Sequence, residues 1–118
     1  MPESVAIFLL AGEEMPCRLT HALIWALDAV ERGGEARIVL EGAAPQWLLV
    51  LPDRGHPQHG LYRRAKEKGL LDAVCRACAV QAGAVAAAEA EGLRLVNDAS
   101  GHVSLVPYVQ AGYRIVTV

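Results

Sequence analysis

The stretch VAIFLL, residues 5–10, decides how this chain folds. It carries no polar side chain, so neither face of a strand built from it can meet water. That is the pattern of a strand buried on both sides, as in a parallel sheet covered by helices. Further apolar runs follow at Arg37–Leu40 ("RIVL"), Ala73–Cys75, Leu93–Val96 ("LRLV") and Tyr113–Val118 ("YRIVTV"). Each reads as another strand.

Helical periods separate these runs. Leu19, Ala22, Leu23, Ala26, Leu27 and Val30 recur at the spacing that lines one helix face. Gly33-Gly34 closes that helix. Pro45 opens a short one, a position proline tolerates in a first turn. Leu61–Lys68 reads as helix up to Gly69, Cys78–Glu91 as Ala-rich helix with a break at Gly83, and Val103–Ala111 as the last. Strand and helix alternate, which predicts parallel strands with right-handed crossovers. The expectation is a single doubly wound α/β domain over residues 1–118, a three-layer sandwich with a mostly parallel five-stranded sheet.

With 53% hydrophobic residues in 118, the chain fills one core, and with 5% aromatics that core is built of Ala, Val and Leu. The net charge of −2 offers no footprint for nucleic acid, and the basic run Arg63, Arg64, Lys66, Lys68 reads as a solvated helix face. The opening "MPES" lacks a basic n-region, and Val5–Leu10 is too short to span a bilayer. Three cysteines, two of them close together, fit a reducing compartment. A cytoplasmic protein bound to neither membrane nor nucleic acid is expected.

In a parallel sheet the C-terminal strand ends share one edge, where ligands bind. The residues just beyond the strands are Gly12, Glu13, Glu14 and Cys17, then Glu41 and Gly42, then Cys75 and Cys78, then Asn97, Asp98 and His102. Cys75 closes a strand and Cys78 opens a helix, whose N-terminus favours a thiolate. Arg76 between them adds positive charge. Burial as two small hydrophobes is the alternative. The pair lies too late in the chain for a thioredoxin motif and has no leading tryptophan. As a zinc clip it supplies two of four ligands; Cys17 and His102 would complete the set, and His56 and His59 form a separate pair. His102 is placed to take a proton from a cysteine, and Ser104 to cap the last helix. The chain has neither a dinucleotide fingerprint nor a P-loop, and Cys75 stands where a receiver domain needs Asp, so no cofactor is expected. Ile24, Trp25 and Trp47 are large apolar groups expected to face a partner copy.

"IVLEG" (38–42), "GLLDAVCRAC" (69–78) with Gly83 eight residues past Cys75, "GHVS" (101–104) and "AGYRIVTV" (111–118) together resemble the DsrE/DsrF-like family of small cytoplasmic α/β proteins. The resemblance implies a sulfur-relay role with Cys75 as persulfide carrier, exchange with a sulfur-donor or acceptor protein, and assembly as a homo-oligomer, a trimer or hexamer. Cys78 stands where many relay members have a small non-thiol residue, and "VQA" replaces their Arg-containing stretch before the glycine. The sequence-based expectation is therefore a sulfur-handling protein. In it Cys75 carries sulfur, Cys78 resolves the persulfide and His102 moves protons, while Gly12, Glu13, Glu41, Gly42 and Asp98 shape the pocket. The alternative is a non-catalytic oligomer that binds a metal or small ligand through Cys75, Cys78 and His102. Contact between Glu41 and the thiols would favour the metal, because a carboxylate opposes a free thiolate.

Overall fold

A computed structural model describes residues 3–118. The strands are β1 (Ser4–Leu9), β2 (Glu35–Leu40), β3 (Leu71–Cys75), β4 (Leu95–Val96) and β5 (Arg114–Thr117). The helices are α1 (Pro16–Glu31), α2 (His59–Glu67), α3 (Arg76–Ala82), α4 (Val85–Ala90) and α5 (Val106–Gln110), with a 3₁₀ helix at Ala44–Leu49. The sheet runs β4-β3-β2-β1-β5, and every pairing in it is parallel. The expected "mostly parallel" sheet is wholly so.

The alternation in β1 shows why an unbroken apolar run was needed. Ile7 and Leu9 enter one core with Leu19, Leu23 and Leu27 of α1, Trp47 and Leu48 of the 3₁₀ helix, Tyr62 of α2 and Ala79 of α3. Ala6 and Phe8 enter a second, smaller core with Val39, Ala73, Cys75, Val103 and Tyr108 of α5. The layers are therefore unequal: α1 to α4 cover one face, and α5 with its preceding loop covers the other. The Phe8 and Tyr108 rings meet edge to face, 5.5 Å apart.

This topology positions the site. The chain steps from β1 to β4 across the sheet, then returns over the opposite face to lay β5 beside β1. The loop after β3 leaves toward one face and the loop after β4 toward the other. The two loops meet at the C-terminal edge, where Ala77 N donates to the Gly101 carbonyl; this is the edge at which open α/β sheets bind ligands.

Two sequence expectations need correction, at Trp47 and at the start of the last helix, and one feature had no expectation attached. Trp47 is not a partner surface: it is 2% exposed and its Nε1 donates to the Ala11 carbonyl at 2.9 Å. Ile24 and Trp25 do stand exposed. The last helix starts at Val106 rather than Val103; in the loop before it the Val103 and Ser104 amides donate to Glu41 and Asp98. Ser104 is not the cap: Leu105 holds that position, and the Ser104 hydroxyl accepts from Val106 N in a local turn before it. A third difference was invisible in the sequence. The register between β2 and β3 shifts at Ile38/Val39, and Asp72 meets Tyr108, Arg94 and Arg37. That network ties β3 to α5.

Candidate metal and thiol centre

Cys75 ends β3 as the N-cap of α3, in extended backbone (φ −62°, ψ 121°), and its sulfur accepts from Cys78 N at 3.4 Å. One helical turn then brings Cys78 beside it. Glu41 follows the last residue of β2, the neighbouring strand. Gly42 makes its position workable: φ is +57°, and a Cβ there would meet the Leu10 carbonyl oxygen at 2.9 Å. His102 arrives from the β4–α5 loop, held by an Ala99–His102 bridge and by Ala77 N donating to the Gly101 carbonyl.

The side chains of these residues converge. Cys75 Sγ lies 3.2 Å from His102 Nδ1, and Cys78 Sγ lies 3.6 Å from the same nitrogen. Cys78 Sγ is 3.3 Å from Glu41 Oε1, and His102 Nδ1 is 3.2 Å from that oxygen. The four donor atoms all fall within 4.8 Å of one another. The second Glu41 oxygen accepts from Val103 N at 2.8 Å, and the Gly101 carbonyl lies 3.7 Å from Cys75 Sγ. Exposure is graded across the cluster: Cys75 is wholly buried, Cys78 and Glu41 partly, His102 exposed.

The electrostatics oppose a free thiolate. Burial pushes the Cys75 thiol up to about 12; the Cys78 amide works against this, and the Glu41 charge adds to it. Cys78 is raised as well, by burial first and by Glu41. Glu41 is pulled the other way: burial alone would raise it, but the Val103 amide, both thiols and His102 together hold it below its ordinary value. The expected lowering of the Cys75 pKa by the helix start is therefore overturned. The helix is only seven residues long, and desolvation with a neighbouring carboxylate outweighs it.

Of the residues expected at this edge, Cys75, Cys78, His102 and Glu41 come together, and Gly42 supports them. Cys17 does not join: it is exposed on the first turn of α1, where its carbonyl accepts from the His21 ring. Glu13 is exposed in a turn and outside the cluster. Gly12 is buried, and a Cβ there would meet Gln46 Oε1 at 2.5 Å and the Ala43 Cβ at 2.9 Å. Asp98 clasps Ser104 N at 2.8 Å and so shapes the His102 loop. His56 and His59 serve local backbone contacts with Gln58 N and the Leu51 carbonyl. Sequence reasoning missed the Asp72–Tyr108 tie, whose only trace is an acid inside an apolar strand.

Scanning against family models finds no match. A sequence relative is found in the uncharacterized protein MJ0733 of Methanocaldococcus jannaschii, 36% identical over 98 residues, which cover 83% of this chain and 78% of the relative. The chain belongs to the MJ0733 family. Among solved structures, the conserved protein of unknown function BT1422 from Bacteroides thetaiotaomicron superposes with a TM-score of 0.66. The alignment covers 98% of this chain and 95% of that one, at 17% identity. That likeness establishes a shared α/β fold.

Proposed function

We propose that this protein binds a divalent transition-metal ion of the zinc class through Glu41, Cys75, Cys78 and His102. The spacing of the donor atoms carries the reading. Ligands 2.0–2.3 Å from a tetrahedral zinc lie about 3.3–3.8 Å apart. Four of the six separations here are 3.2, 3.6, 3.3 and 3.2 Å, and all six lie within 4.8 Å. Two sulfurs, an imidazole nitrogen and a carboxylate oxygen suit zinc or a similar borderline ion. A bound cation would also reverse the local charge problem: it would favour both thiolates, their protons passing to solvent, and would turn Glu41 from a liability into a ligand. Val103 N, donating to Glu41, and Cys78 N, donating to Cys75 Sγ, would then act as supports behind the ligands. The test is elemental analysis of purified protein, with cobalt(II) substitution read by its tetrahedral d–d and thiolate-to-metal bands. One equivalent of metal, lost in Cys75→Ser and Cys78→Ser, supports the centre. Wild-type protein that takes up no metal from a buffered zinc or cobalt solution overturns it.

A second reading keeps the sulfur chemistry of the DsrE/DsrF-like resemblance but exchanges the thiols. Cys78 is the sulfur that solvent reaches, whereas Cys75 is sealed. In that reading the Cys78 thiolate attacks the outer sulfur of a donor persulfide, and the donor leaves as a thiolate. Cys75 then attacks the inner sulfur of the Cys78 persulfide, forming a Cys75–Cys78 disulfide and releasing hydrosulfide. Intact mass after treatment with a sulfane donor decides: one added sulfur that survives in Cys75→Ser and vanishes in Cys78→Ser supports it. Both readings need reduced thiols, which fits the cytoplasm. The exposed Ile24 and Trp25 support self-association, for which the DsrE/DsrF-like resemblance implies a trimer or hexamer; light scattering of the purified protein checks it.

A further inference from the structure

A cavity of about 260 Å³ opens beside Cys78, away from His102, between the 3₁₀ helix and α3. Gly42, Ala43, Gln46, Cys78, Gln81 and Ala82 line it. Its chemistry is specific: one sulfur, two primary amides, small residues elsewhere and no charged side chain. Gln46 packs beside Gly12, its Oε1 2.5 Å from where a Cβ on that glycine would stand. Gln81 is on the exposed side of α3, one turn beyond Cys78. Glu41 stands behind the sulfur, its Oε1 3.3 Å from Cys78 Sγ.

We propose that this cavity is a binding site for a small uncharged molecule that offers amide- or hydroxyl-type groups to Gln46 and Gln81 and a soft atom or electrophilic carbon to Cys78. The two amides each donate and accept, so they suit a neutral polar ligand. The Glu41 carboxylate disfavours an anion on approach, and the lining holds no cation to offset it. The site does not depend on a metal. With an ion bound, the ligand would meet the ion's Cys78 side; without one, it meets the thiol itself.

Alkylation of the metal-free protein tests this with an internal control. Iodoacetamide and iodoacetate react by the same step: the thiolate displaces iodide, an S–C bond forms, and the thiol proton passes to buffer. Because both reagents attack the same thiolate, the ratio of their rates cancels the thiol pKa and reports how the surroundings treat a neutral against an anionic ligand. Exposed Cys17 supplies the reference ratio in the same molecule. Peptide mass mapping is expected to show the amide-to-acid rate ratio at Cys78 exceeding that at Cys17 by about tenfold, the low end of what fixed charge beside a site, here Glu41, does to encounter. Acetamide in excess should slow iodoacetamide at Cys78 and leave Cys17 unchanged. Gln81→Lys, an exposed substitution, should bring the Cys78 ratio down toward that of Cys17. Equal ratios at the two cysteines, or a Cys78 rate indifferent to acetamide and to Gln81→Lys, overturn the proposal. Both results are read in metal-free protein, so failure here and failure of the metal centre are told apart.

Discussion

His102→Ala is the sharpest perturbation of the metal centre, because it removes one ligand from the exposed side and opens no cavity in either core. Zinc that binds the folded chain alone stabilises it by about 2.7 kcal/mol at a free concentration of 100 Kd. Unfolding 118 residues carries an entropy of about 0.25 kcal/mol per kelvin near the midpoint. The zinc-bound wild type should therefore melt roughly 11 °C above the metal-free form. Loss of even a supporting group around a metal weakens binding about 10–100-fold, and loss of a ligand costs at least that. At the same free zinc the variant then gains at most about 0.4 kcal/mol for a hundredfold loss, a shift under about 2 °C. Scanning calorimetry in a zinc buffer, with wild-type Kd fixed by competition against a chromophoric chelator, measures both. An undiminished shift in His102→Ala would refute the assignment of this histidine, and an absent shift in wild type would refute the centre.

Alkylation at pH 8 in the metal-free protein should rank Cys17 first, Cys78 second and Cys75 last, since Cys75 is wholly buried and its thiol is pushed up to about 12; time-resolved peptide mapping reads the order. That same shift makes stability fall with pH: the unfolded thiol ionises near ~8.5 and the folded one only near about 12, so the loss accumulates between them and should be smaller in Cys75→Ser. Glu41 has the opposite sign. Its lowered pKa stabilises the fold above the ordinary carboxylate range, and that contribution is lost as pH falls through the folded value, so Glu41→Gln should flatten the acid limb of a urea-midpoint profile. Tyr108→Phe should cost about 1–2 kcal/mol in urea unfolding by stripping one partner from Asp72, which keeps Arg94. Because α5 follows the His102 loop, the same substitution should also weaken cobalt binding, readable from its d–d band.

Much of this molecule is written locally. VAIFLL, the α1 stripe and the glycine stops dictate strand, helix and turn by periodicity alone, and strand–helix alternation dictates the parallel sheet. The C-terminal edge followed from that, and with it the neighbourhood of Cys75, Cys78, Glu41 and His102. Cys17 and Glu13 were placed at the same edge because sequence order shows which loop a residue lies on but not where that loop points. The decisive features depend on several chain segments meeting. Glu41 reaches the thiols only because β2 and β3 are neighbours and Gly42 turns the backbone aside. His102 arrives because the chain reverses over the opposite face after β4. Cys75 is shut from solvent while Cys78 opens on a cavity, although one helical turn separates them. A pattern along the chain fixes which face a side chain takes, through steric and hydration forces acting within a few residues. Distance between donor atoms, burial and the sign of a pKa shift come from charges and contacts across the fold, and the tertiary structure alone decides them.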